Sequence, residues 1–298
     1  MSRRYLANNE SLIKKALYLR LMAEDIADGM KSGNFRSLYR GQGIEFSDVR
    51  EYLHGDNVRA IDWNVTARMG RAFIKQYEED KELNVFCILD CSLSMLSGSN
   101  GKSKIRTACD VAALLILAAL NNLGASGAIF FDSEIRFSCQ PKAGRENAMM
   151  ILSKLDSLDF SSSVGGSVLA SAIKAGAVML KRRSLVFVIS DFRTADYKSE
   201  LAFLAQKHDV VAIRINDPSD SELPKIGTLP FSDYETHKTM LLPTSSSRFA
   251  EEWFEENRKN VGAWNDFCVK HNVFPLPILT NEDAVLVLTN FFASRKRH

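Results

Sequence analysis

The stretch LNVFCILDCSLSM, residues 83–95, decides how the chain is read. Val85 to Leu89 is a continuous apolar run of strand length that stops at Asp90. Continuous apolarity, rather than alternation, is what a strand covered on both faces requires. Past Asp90 the texture inverts, with Ser92 and Ser94 at alternate positions. In an open parallel sheet, ligands gather at the carboxyl ends of the strands, where loops and helix starts face outward together. The stretch therefore reads as a buried strand delivering one carboxylate and two hydroxyls to that edge.

Downstream, strand and helix alternate. Ser103–Asn122 predicts a helix apolar nearly all round, and Ala128–Phe131 with Ile135–Phe137 a strand pair turned at Asp132, Ser133 and Glu134. Gly144–Leu155 and Ser167–Leu180 read as helices, Leu185–Ser190 as a strand, Tyr197–Lys207 as a helix and Val210–Ile215 as a strand. Met240–Leu242 is expected as an edge strand, Phe249–Cys268 and Asp283–Phe292 as helices. The alternation predicts an α/β fold, a Rossmann-like and mainly parallel sheet flanked by helices. Upstream, Leu12, Ala16, Leu19, Ala23, Ile26 and Met30 recur at helical steps and mark an amphipathic helix ending near Gly33. Residues 36–80 carry glycine turns, short aromatic or branched runs and charges at most positions, too few apolar side chains for a core of their own. They are expected as short strands and loops packed on a larger body. The organisation read from the sequence is a helix over 1–35, a small segment over 36–80, and an α/β domain with C-terminal helices over 81–298.

Composition bounds the function. Thirty-eight basic residues against thirty-six acidic ones leave no footprint for nucleic acid. The start, MSRRYLANNESL, has no apolar core of signal-peptide length, and the most apolar run, Val111 to Leu120, is short of a membrane span. Five cysteines without a C-x-x-C pair fit a reducing compartment, so a cytoplasmic location is expected, with Cys87 and Cys91 as small core or loop residues.

Two further stretches point at the edge that Asp90 occupies. Leu185–Ser190 also ends in a carboxylate, Asp191. In SSSVGGSVLASAI, Gly165 and Gly166 permit a tight turn before Ser167, which either contributes a third hydroxyl or caps the helix behind it. Carboxylate and hydroxyl oxygens suit a hard cation, Mg²⁺ first and Mn²⁺ or Ca²⁺ by the same chemistry, and make a poor zinc site. A phosphatase of the haloacid-dehalogenase type keeps its nucleophile after such a strand but needs an acid two residues on, where this chain has Ser92. Neither a G-x-S-x-G elbow nor a G-x-x-x-x-G-K-[ST] loop occurs, and His54, His208, His237 and His271 lack ligand spacing. A non-enzymatic role is expected, with metal-dependent phosphoryl hydrolysis the weakest alternative.

D-x-S-x-S after an apolar strand, a Gly-Gly-hydroxyl turn and I-S-D after a later strand resemble the metal-ion-dependent adhesion site of von Willebrand factor A domains. The resemblance implies a cation held directly by hydroxyls and through water by carboxylates, with Asp90, Ser92, Ser94, Ser167 and Asp191 in those places. Ser167 stands where threonine is usual; it keeps the hydroxyl and loses the methyl that stiffens the rotamer. The segment GIEFSDVREYLHGDNVRAIDWNVTARMGRAFIKQYEED, running into LDCSLSM, resembles the bacterial DUF58 family through Arg50, Tyr52, Gly55, Asp56, Arg59, Ile61, Asp62, Trp63, Ala67 and Arg68. That resemblance implies a MoxR-type AAA+ ATPase partner and a role in assembling or activating other proteins. The expected function is an adapter whose metal takes an acidic residue from a client protein. The alternative is a metal-free module docking through Arg50, Tyr52, Asp56, Arg59, Asp62, Trp63 and Arg68, which could equally form a salt-bridged scaffold.

Overall fold

The computed structural model describes residues 23–30, 39–53, 56–99, 101–158, 166–194, 196–222, 227–232 and 239–294. Expected features at Leu12, Ala16, Leu19, Gly33 and Gly165, and the side chain of Arg59, lie outside the described residues. The chain divides into two units, one formed by residues 38–82 and the other by residues 1–37 with 83–298.

The smaller unit holds two strands, β1 (Tyr39–Glu51) and β2 (Phe73–Glu82), paired antiparallel with two register shifts. Between them lies a helix. The larger unit begins with helical residues 23–30, α1, and the chain-order helix of the smaller unit is α2 (Trp63–Met69). The segment expected as short strands and loops thus contains a long two-stranded ribbon and a helix. Charges in most positions concealed the ribbon because backbone pairing, not an apolar face, defines it.

In the larger unit the elements run β3 (Asn84–Asp90), α3 (Lys104–Asn121), β4 (Ala125–Phe131), β5 (Ile135–Ala143), α4 (Arg145–Asp156), α5 (Leu169–Met179), β6 (Leu185–Ser190), α6 (Lys198–Lys207) and β7 (Asp209–Asn216). Then come β8 (Thr228–Ser232), β9 (Thr239–Pro243), α7 (Ser247–Lys270), β10 (Val273–Leu279) and α8 (Ala284–Ser294). Six strands form one sheet in the order β10-β7-β6-β3-β4-β5, parallel throughout except for β5 against β4. The mainly parallel α/β fold expected from the alternation is the fold observed.

Alternate residues of the central strands serve opposite faces. Phe86, Ile88, Val186 and Val188 bury against α5, α6 and the Trp264 and Cys268 turn of α7. Phe187, of the other parity, meets Phe292 of α8, which packs on α3. Ala23, Ile26, Ala27 and Met30 of α1 are buried, and Asn122 donates to the Ala27 carbonyl at 2.8 Å.

Two elements differ from expectation. Met240–Leu242 does not join the main sheet; β9 pairs with β8 in a separate two-stranded sheet. The edge place is taken by β10, VFPLPIL, which pattern reading passes over because of Pro275 and Pro277. Prolines two apart remove N–H groups from the same side of a strand, and an edge strand can turn that side to solvent.

Candidate functional site

The chain leaves β3 through α3 to β4 on one side, then returns to the other side of β3 with β6. Strand order therefore reverses between β3 and β6, and the crevice at their carboxyl ends is where an open α/β sheet binds ligands. Asp90 ends β3 and Asp191 follows β6, so the topology brings these two expected residues to one crevice.

Asp90 is 1% exposed and sits inside a ring of hydroxyls. Its Oδ1 accepts from the Ser92 N–H at 2.9 Å; its Oδ2 accepts from Ser190 Oγ at 2.7 Å and lies 3.5 Å from Ser167 Oγ. Ser92 Oγ and Ser94 Oγ are 3.1 Å apart. Ser167 does not cap its helix: Val168 holds the N-cap position of α5, without a side-chain cap, and Ser167 faces Asp90 instead. Gly166, at φ +112°, makes the turn that aims it there, a backbone conformation that only glycine adopts freely.

Ser190 was not singled out in the sequence because it reads as the last residue of a buried strand. Its hydroxyl donates to Asp90 and accepts the Phe192 N–H at 3.0 Å, holding Phe192 at φ +52°. A buried aromatic residue in the left-handed region stores strain of about 1–3 kcal/mol, and such strain collects at functional positions.

Burial pushes the Asp90 carboxyl up to about 6, against the Ser92 and Ser190 hydrogen bonds, and the nearby Asp191 charge adds to the rise. Asp191, 3% exposed, accepts the Arg193 N–H at 3.3 Å through Oδ1, while its Oδ2 makes no hydrogen bond. Beside it lies a residue absent from the sequence reading. Lys104, fully buried at the start of α3, places Nζ 3.5 Å from Asp191 Oδ2 and 3.1 Å from Asp220 Oδ2. Neither contact is aligned as a hydrogen bond, so the ammonium is held by charge alone. Arg193 completes the network at 2.7 Å from Asp220 and 3.9 Å from Asp191.

The donor set fits a hard divalent cation. Octahedral ligands at 2.0–2.1 Å stand about 2.9 Å apart at neighbouring corners, close to the 3.1 Å between the Ser92 and Ser94 hydroxyls. The unsatisfied oxygen of Asp191 supplies a further acceptor of metal-bound water. No group of three or more His, Cys, Asp or Glu side chains is placed to hold a metal among the described residues; the site offers two carboxylates and three hydroxyls instead.

Other acids at this edge are already satisfied. Against burial, the Glu134 N–H and the Arg136 guanidinium hold the Asp132 carboxyl below its ordinary value. Asp217 is held far below the ordinary range, against burial, by the Ser219 and Thr280 hydroxyls and the Ser99 N–H. Cys87 and Cys91 are buried, and burial raises both thiols, that of Cys87 to about 12.

In the smaller unit, Arg50 forms a two-pronged pair with Asp56 at 2.8 Å on each prong, and Asp56 also accepts the Leu53 N–H. Asp62 caps α2 by accepting from the Asn64 and Val65 N–H groups, and the Tyr52 N–H bonds the Ala72 carbonyl. Arg68 is exposed, and Trp63 is 68% exposed. The structure thus joins Arg50 to Asp56 and makes Asp62 a helix cap.

These features define a mostly parallel α/β protein with a hydroxyl-ringed carboxylate at its switch point. The chain belongs to the family described as protein of unknown function DUF58, whose model matches residues 48–262. The uncharacterized protein Rv1480 of Mycobacterium tuberculosis is 31% identical over 285 residues, 94% of this chain and 88% of its own length. Among solved structures, an aerotolerance-related membrane protein from Bacteroides fragilis is 16% identical over 72% of this chain and 98% of its own, with a TM-score of 0.48. The VWA domain of SpRpn10 is 12% identical over 70% and 95%, with a TM-score of 0.43. The fold is read from the strand order and motif placement rather than from these distant likenesses. No described helix is long and apolar enough to cross a membrane.

Proposed function

We propose that this protein is a non-enzymatic interaction module of the von Willebrand factor A kind, holding a divalent cation, Mg²⁺ most readily, at the β3/β6 crevice. Ser92, Ser94 and Ser167 would hold the cation directly, with Asp90 and Asp191 acting through water. The bound ion would supply a Lewis-acid position for a carboxylate of a partner protein. The observation that carries this reading is Ser167: its helix is left uncapped so that its hydroxyl can join Asp90 across 77 residues of sequence. The neutral hydroxyls leave positive charge uncompensated at a bound cation, which favours an anionic sixth ligand from outside. The hydroxyls around Asp90 are turned to its carboxylate, an arrangement suited to binding and orienting.

A second reading has its own support. Lys104 and Arg193 together already oppose the charges of Asp191 and Asp220, so these two acids are balanced without a metal. In that reading the module docks through the smaller unit, which carries the exposed Trp63 and the Arg50–Asp56 pair. A MoxR-type AAA+ ATPase as the partner, and client assembly as the task, rest on the family resemblance alone.

Fluorescence anisotropy of a labelled aspartate-rich peptide tests the proposal. Binding that requires Mg²⁺ and is lost in Ser92→Ala/Ser94→Ala supports the metal-bridged adapter. Binding unchanged by chelation moves the docking surface away from the crevice.

A further inference from the structure

Beyond the crevice, on the face covered by α6 and α7, lies a cavity of about 960 Å³ lined in part by Phe192, Tyr197, Arg214, Trp253 and Trp264. Its size is that of a small-molecule or side-chain site, and its lining of aromatic rings with a few polar groups has the same character. At its base is an arginine in an unusual position. Arg214, near the carboxyl end of β7 between β10 and β6, is 4% exposed. Its guanidinium makes one hydrogen bond, from Nε to Asn216 Oδ1 at 3.1 Å, and rests 5.6 Å from the centre of the Trp264 ring. The terminal nitrogens have no hydrogen-bond partner, and no carboxylate lies within ion-pair distance of them among the described residues. The neighbouring acid, Asp220, is taken by Arg193, Lys104 and the Asp217 N–H.

A buried guanidinium whose fork bonds no anion directly is costly, and its planar fork matches the two oxygens of a carboxylate or phosphate. A second group asks for the same thing. Trp264 is 3% exposed, lines the cavity, and its Nε1–H, a donor only, has no acceptor. Burial pushes the Tyr197 phenol up to about 12, so this lining residue keeps its proton and remains a donor at neutral pH. Three acids line the cavity: Asp196 and Glu256, which are exposed, and Asp220, which is engaged by Arg193 and Lys104 and acts on Arg214 through its charge alone, as Asp191 does. The Arg214 fork and the Trp264 N–H are thus donors without a bonded acceptor, with aromatic faces beside them.

We propose that this cavity binds an oxyanion borne on a flat apolar group, the anion seated on the Arg214 fork and the Trp264 indole N–H, and the body against the Phe192, Tyr197 and Trp264 rings. The cavity borders the candidate cation position, sharing Arg193 and Asp220 with the network around Asp191, but its donors, Arg214 and Trp264, are not among the residues that would hold the cation.

The test is tryptophan fluorescence of the full chain in metal-free buffer, titrated with benzoate, phenyl phosphate and benzyl alcohol. At least one of the two anions is expected to quench saturably and to bind at least tenfold more tightly than the alcohol; which of them does so separates a carboxylate source from a phosphate one. Arg214→Met should weaken that binding at least tenfold, Arg214→Lys less. Trp264→Phe identifies the indole N–H signal in ¹H–¹⁵N spectra, which should shift in the unmodified protein when the preferred anion is added. Saturation by neither anion, equal binding of benzyl alcohol, or equal binding by a folded Arg214→Met protein would overturn the proposal. Should Arg214→Met fail to fold, an unmoved Trp264 indole signal at saturating benzoate and phenyl phosphate overturns it as well.

Discussion

Replacing Lys104 by Met removes one cation and leaves its packing nearly intact, because the thioether chain follows the path of the lysine stem. What remains is a pair of buried acids, with Asp191 and Asp220 side chains only 4% and 10% exposed, facing each other without the ammonium that lies 3.5 and 3.1 Å away. Removing one partner of a buried charge cluster costs about 3–5 kcal/mol, whereas exchanging all its members for apolar groups can be neutral. Arg193, 40% exposed, recovers part of this because it contacts both acids. For a domain of this size each kcal/mol moves the melting temperature by about 2–4 °C, so a loss of roughly 6–20 °C is expected in metal-free buffer. Differential scanning calorimetry with and without Mg²⁺ is the assay. Mg²⁺ should restore more stability to Lys104→Met than to the unmodified protein, since a cation near Asp191 takes over the missing charge. A variant melting at or above the unmodified protein in chelator would refute the view that Lys104 holds this edge together.

Three further outcomes follow from the geometry. Because the Asp90 carboxyl is raised from 3.8 to about 6 on folding, the folded chain binds that proton more tightly; the corresponding stability is complete below pH 3.8 and lost as pH rises through about 6. The effect amounts to roughly 3 kcal/mol, so the urea midpoint of the metal-free unmodified protein should fall relative to that of Asp90→Asn between pH 4 and pH 7, and a constant difference would contradict it. Gly166→Ala meets no atom within 4 Å but must adopt φ +112°; it should cost at least about 1 kcal/mol and reduce the Mg²⁺-induced rise in melting temperature by turning Ser167 away. Asp62→Ala removes the cap of α2, about 1 kcal/mol, and should speed hydrogen exchange at the Asn64 and Val65 amides while leaving β3 amides protected.

Much of this architecture was legible because burial on two faces writes itself as continuous apolar runs: β3 and β6 end at Asp90 and Ser190 as their sequences suggest. The convergence of Asp90 with Asp191 followed from strands of that kind ending at one edge. Other parts were hidden for definite reasons. Lys104 follows the N-cap Ser103 and has the pattern of a solvated first-turn lysine; only the folded sheet shows that two acids from β6 and β7 loops enclose it. Ser190 looked like strand interior, and its bond to Asp90 crosses 100 residues. β10 was masked by prolines that an edge position tolerates, and α2 by the charged texture around it. Arg214 read as one polar interruption of a strand, with nothing local to announce a cavity.

The most direct test of the central claim is isothermal titration of Mg²⁺ into chelator-treated protein, side by side with Ser92→Ala/Ser94→Ala. The account predicts one binding site per chain in the unmodified protein and at least a tenfold loss of affinity in the variant, with the fold retained by circular dichroism. Equal Mg²⁺ binding by both proteins, or none by either, would contradict a cation held by the hydroxyls around Asp90.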